Sequence, residues 1–314
     1  MMEKTKTAQS VLNRTILSCA LAATLGAGVT TSALAQSSTP ATTQAPKVIA
    51  ITAEQERDLR AAMSNASGAP AVALERYYYP SLGAGIPSGF GANWGDVMVG
   101  LAYAGSDKVR NEGDGSMSFT AGLLDSRKLV GVEVAANMLS MRNFGDNWNF
   151  DAKVHRMLYE GPSGYLSVAL GRNNFACSGS DACSSTWPAP SKGGLAPNVA
   201  SNYLVFSGLT PVKNPFGSGT VPLNVSLGVG NGNFSNDMNS GAQYSVFGDI
   251  GIQLHNQIGT SVGWSGKGLN ANLSFVPVRN FPLIMNVLFA DITNRTPGGF
   301  NVIVTAGMPF NFLR

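Results

Sequence analysis

From position 96 to its end the chain alternates apolar with small or polar residues at a period of two, the signature of strands whose two faces meet different surroundings. The last segment is the clearest case. Phe300, Val302, Val304, Ala306, Met308, Phe310 and Phe312 alternate with Asn301, Ile303, Thr305, Gly307, Pro309 and Asn311. Val221, Leu223, Val225, Leu227 and Val229 repeat the pattern against Pro222, Asn224, Ser226, Gly228 and Gly230, and Leu269, Ala271, Leu273 and Phe275 repeat it against Asn270, Asn272 and Ser274. Carried through, the pattern predicts about twelve strands, with ten to fourteen also compatible, near 96–104, 115–125, 129–141, 148–159, 164–171, 202–212, 220–230, 242–254, 257–265, 268–276, 281–292 and 300–312. Most are close to the ~9 to 11 residues that a tilted transmembrane strand needs.

The connections alternate as well, with the short Gly266–Lys267 link and the longer Lys213–Gly219 link as exceptions. Ser126–Lys128, Glu160–Ser163, His255–Asn256 and Pro277–Asn280 are tight, whereas Gly105–Asp114, Arg172–Ser201 and Asn231–Gly241 are long. Tight turns on one side and long loops on the other are expected of an outer-membrane barrel. In hydrocarbon every backbone N–H and C=O must be paired within the protein, so a sheet can span only if it closes on itself. The fold class expected is therefore all-β, a closed antiparallel transmembrane β-barrel over 96–314. The apolar set must face lipid, because the opposite set of Gly, Ser, Asn and Thr is too small to fill a globular core. The same parity places Tyr103, Trp148, Tyr203, Tyr244, Trp264 and Phe300 in an outer aromatic girdle, and Phe275, Phe281, Phe310 and Phe312 in an inner one.

Composition sharpens this picture. Charged residues make up 12% of the chain, against about 25% in a typical soluble domain, and no long apolar run follows position 35. A soluble domain and a helical membrane protein both fit poorly. At the N-terminus, Lys4, Lys6 and Arg14 precede an apolar stretch from Ile16 to Val29 and the small-residue site Ala33-Leu34-Ala35, so residues 1–35 read as a cleaved signal peptide. Its removal leaves 18 basic against 17 acidic residues, a balance that excludes a nucleic-acid partner. Residues 36–46 read as a flexible linker. Residues 47–95 read as a short helix beginning at Thr52, followed by a Gly- and Pro-rich stretch that either hangs in the periplasm or inserts into the barrel. Cys177 and Cys183 remain after cleavage, and a disulfide between them is expected in an exported chain. No spacing points to a metal or redox site, and no cofactor is called for.

The signal peptide, the alternating strands and the aromatic final strand resemble those of Gram-negative-type, porin-like outer-membrane β-barrel proteins. That resemblance implies residence in the cell outer membrane, with lipid around the wall. Such chains usually end in Phe, whereas here Phe312 is followed by Leu313 and Arg314.

Candidate chemistry follows from parity. Glu133, Asp151, Lys153, His155 and Asp249 fall on inward faces and are the expected lumen lining, with Glu133 and Lys153 placed to pair on adjacent strands. Arg156 falls on the lipid-facing set and is placed near the periplasmic interface. Some membrane barrels resemble lipid hydrolases that use a His-Ser pair. Here His155 and His255 lie outside any His-x-Ser-Asn stretch, and no Gly-x-Ser-x-Gly elbow occurs, so no catalytic residue is assigned. The function expected is passive passage of small hydrophilic solutes. A structural or adhesive barrel with a closed lumen and functional loops is the alternative, and a homo-oligomer is compatible with both.

Overall fold

The computed structural model describes residues 77–108, 112–145, 147–179, 200–235, 243–296 and 298–313. The signal peptide, the linker, the helix expected from Thr52, and Cys183 lie outside the described residues. Twelve strands follow one another: β1 (Asp96–Ala104), β2 (Asp114–Leu124), β3 (Gly131–Met138), β4 (Trp148–Gly161), β5 (Gly164–Ser178), β6 (Ser201–Lys213), β7 (Thr220–Gly230), β8 (Ser245–His255), β9 (Ile258–Trp264), β10 (Leu269–Phe275), β11 (Ile284–Ala290) and β12 (Asn301–Asn311). Each pairs antiparallel with its sequence neighbour, and β1 pairs with β12 to close the barrel. Closure runs from Asp96 opposite Asn311 to Ala104 opposite Ile303, so no edge strand is left to lipid.

The alternation read from the sequence decides which face is which. On β7, Val225, Leu227 and Val229 are exposed outside, while Asn224, Ser226 and Gly228 are buried inside. Tyr103, Tyr244, Phe300, Phe310 and Phe312 are likewise exposed. Arg156 points outward and donates to the Leu129 carbonyl in the tight turn between β2 and β3, close to the membrane rim, where a cation costs little.

Three local expectations are corrected. β5 continues to Ser178, where a loop was expected from Arg172. Its polar end pairs with Trp148–Phe150 across a register shift between Phe150 and Ala152, so cross-strand pairing extends the hairpin where side-chain alternation has stopped. β11 is shorter than expected: Pro282 supplies no N–H before it, and Asp291, at φ 48°, turns the chain after it. Tyr203 belongs to no girdle. It points inward and is buried, because the inner face of β6 carries Tyr203, Val205 and Leu209, an apolar exception to the small polar lining.

Candidate functional site in the barrel lumen

The exception has a partner. Residues 77–95 enter at the end of the barrel that carries the tight turns, where the Tyr78 N–H donates to the Arg279 carbonyl. They leave at the same end, where the Trp94 N–H donates to the Leu124 carbonyl. Between these points the segment crosses the lumen. Leu82 and Phe90 pack with Tyr165 and Leu209. Ile86 packs on a cluster of Ala169, Tyr203, Val205, Phe234 and Phe247, in which the Phe234 and Phe247 ring centroids lie 5.1 Å apart. Phe234 arrives on a 3-10 turn, Gly232–Phe234, folded inward after β7. At the entry, Tyr78 joins Val276 and Ile284, and the Arg279 guanidinium lies over the Tyr77 ring at 4.4 Å.

A segment without regular structure must satisfy its backbone by other means, and the inward side chains do this. Ser81 N–H donates to Ser274 Oγ (2.8 Å), Ala84 N–H to Asp249 Oδ2 (2.9 Å), Gly89 N–H to Ser207 Oγ (2.8 Å) and Ala92 N–H to Glu133 Oε2 (2.7 Å). The segment's carbonyls accept from Asn272 at Gly83 (3.0 Å), Asn270 at Ala84 (3.1 Å), Ser167 at Gly89 (2.7 Å), Lys153 at Phe90 (2.8 Å) and His155 at Ala92 (2.9 Å). Two wall glycines are required by this approach. A Cβ at Gly251 would collide with the Leu82 carbonyl, and one at Gly122 with the backbone of Ala92 and Asn93.

The five lining residues read from the sequence all point inward. Lys153 Nζ lies 2.9 Å from Glu133 Oε1, and both side chains also hold the segment. His155 is 2% exposed and faces the Ala92 carbonyl, away from lipid. Asp249 carries Ala84. Asp151 stands apart from the segment and accepts from Asn137 Nδ2 (2.8 Å) and the Asn174 N–H (2.6 Å). The sequence reading missed Ser207, Asn270, Asn272 and Ser274 as holders of the segment. Their signal was present in the inward parity of Asn and Ser, but nothing local says what those side chains would meet.

The segment covers only part of the wall. Inward residues of β5 to β10 such as Ser167, Ser207, Ser226, Ser261 and Asn272 are buried. Across β11, β12, β1 and β2, by contrast, Asn286, Thr305, Gly307, Gly100, Ala102, Ser116 and Ser118 stay half-exposed on the inner face. Gly307 pairs with Gly100 and Gly100 with Ser118, and a Cβ built on Gly307 would meet only Met98 Sδ, at 3.9 Å. Open space therefore adjoins this strip.

The long-loop rim holds a separate polar knot. Asp291 accepts from the N–H groups of Arg295 (2.9 Å) and Thr296 (2.6 Å) and from the Thr293 hydroxyl (3.1 Å). Burial opposes its charge, yet these donors prevail and hold the carboxyl below its ordinary value. Burial pushes the nearby Lys267 ammonium down to about 8, with Asp291 acting in the opposite direction.

No family model matches the chain, and no curated protein matches it. Among solved structures it is similar to the COG4313 outer membrane channel from Pseudomonas putida F1, at 7% identity and TM-score 0.39 over 69% of this chain and 96% of that one. It is also similar to the outer membrane protein Omp33 of Acinetobacter baumannii, at 9% identity and TM-score 0.33 over 70% and 98%. A third likeness is to the β-domain of the Bordetella autotransporter BrkA, at 12% identity and TM-score 0.28 over 69% and 100%. These are distant likenesses. The closed twelve-strand sheet, with its apolar exterior and polar interior, itself defines the class: a transmembrane β-barrel of the outer-membrane type.

Proposed function

We propose that the protein is a narrow, porin-like passive channel for small hydrophilic solutes, with residues 77–95 as its constriction. The observation that carries this reading is the half-exposed inner strip of Gly307, Gly100, Ser118 and Thr305, small and polar, opposite a wall that the segment covers. Such a strip offers hydrated solutes hydrogen-bonding groups and room while excluding larger ones. Reconstitution in planar lipid bilayers tests it. Discrete conductance steps are expected, and Gly307→Trp, which fills the open space, should shrink them. Absence of steps at every voltage in the wild-type protein would overturn the channel.

A second reading is a closed barrel that acts through its outer loops. It is favoured by the tight-turn end, where Tyr78, Tyr79 and Asp96 are all buried. A silent bilayer, from protein shown to be folded, is its expected outcome.

A further inference from the structure

Resting on the channel reading, we infer that the passage selects cations over anions, with Asp151 and Asp114 as the residues that set the preference. Among the described residues clear of the tight turns, the inward-facing charges are Asp114, Glu133, Asp151 and Asp249 against Lys153, with His155 beside them. The single ammonium is not available to a passing solute. It lies 2.9 Å from Glu133 and donates to the Phe90 carbonyl at 2.8 Å. Asp249 is turned into the segment and holds Ala84. The segment itself carries no charged residue from Tyr77 to Gly95, so it adds no compensating charge.

Asp151 and Asp114 differ from the rest. Asp151 is bonded by Asn137 and the Asn174 N–H. Asp114 is bonded by Ser140 Oγ at 2.6 Å and its neighbour's N–H at 2.7 Å, with the Arg142 N–H at 3.4 Å. Among the described residues no Lys or Arg side chain pairs with either. Asn137 sits opposite Ser118 in the ladder, so Asp151 adjoins the open strip through one side chain, and Asp114 begins the strand that carries Ser118.

An independent observation points the same way. Asn301, on the inner face of β12, is 9% exposed, and its Oδ1 has no hydrogen-bond partner among the described residues. Its amide nitrogen meanwhile donates to the Gly105 carbonyl and approaches Asp107. A buried acceptor of this kind calls for a donor or a cation. Among the described residues, three basic groups of the same rim are engaged: Arg142 with Glu112, Arg295 over the Trp264 ring, and Lys267 beside Asp291. Lys108, in the link after β1, is exposed. A low-dielectric wall concentrates the field of unpaired carboxylates along such a passage.

The test is the reversal potential of the full chain in planar bilayers under a potassium chloride gradient. The expected permeability ratio of potassium to chloride is well above one, and Asp114→Asn with Asp151→Asn should roughly halve it. Ser118→Lys places a cation in the strip while leaving both carboxylates in the chain, and should lower the ratio even if the paired variant does not fold. A ratio at or below one in the wild-type channel, or a ratio unmoved by Ser118→Lys, overturns the inference while leaving a conducting channel intact. Absence of any conductance instead removes the channel reading on which it rests.

Discussion

Replacing Lys153 with Met tests whether the segment is pinned to the wall by charge. At 2.9 Å the Glu133–Lys153 attraction is about 6 kcal/mol at an effective dielectric constant near 20, but removing both groups from water has already cost several kcal/mol per ion. The net worth of the pair is therefore small. Losing one member is different. Glu133, with its side chain 18% exposed, would keep only the Ala92 N–H, and the Phe90 carbonyl would lose its donor. Lys153→Met is expected to cost about 3 to 5 kcal/mol of barrel stability. Glu133→Gln combined with Lys153→Met should cost less than the sum of the single changes, by about 1 to 3 kcal/mol. Urea unfolding of the barrel folded into lipid vesicles measures both, after checking that the transition is two-state. A single-variant loss under about 1 kcal/mol, or strict additivity, would show that the pair is solvated and that the charge does not fix the segment.

Other consequences can be checked separately. Gly251→Val puts side-chain atoms where the Leu82 carbonyl rests; it should lift residues 77–95 from the wall toward the open strip and lower conductance, and an unchanged conductance would place the constriction elsewhere. Leu227, exposed on the outer face, should cost about 2 to 4 kcal/mol when replaced by Arg, and a neutral result in a vesicle-unfolding assay would contradict its contact with lipid. Lys267 titrates near 8 when folded, against the ordinary 10.5. Between those values the unfolded chain binds more protons, so this group makes stability rise with pH across the window, and the slope should vanish in Lys267→Met. Asp291→Ala removes the acceptor shared by Thr293, Arg295 and Thr296 and should speed proteolysis of the link between β11 and β12, with strands β1 to β10 left protected.

The barrel was legible in the alternation of side chains along the chain. Side chains of period two, set by the pleat, separated a lipid face from a lumen face, and hydrocarbon permits a sheet only when it closes. That is why the strands, the inward set of Glu133, Asp151, Lys153, His155 and Asp249, and the outward Arg156 near the rim were all legible from position alone. Pairing beyond alternation was not legible, as in the polar end of β5, because backbone ladders form without regard to which side chains they carry. What the inward set would meet depended on packing between segments far apart in the chain. Tyr203, which parity at a strand end placed in a girdle, is buried under Phe234 and Phe247, and Asp249 serves a backbone amide 165 residues away in sequence. Residues 77–95 have no periodicity to read, since a segment whose backbone is satisfied by the side chains of other strands needs no pattern of its own. The division of the lumen into a covered wall and an open strip of Gly100, Gly307 and Ser118 follows from where that segment lies, which no local pattern specifies.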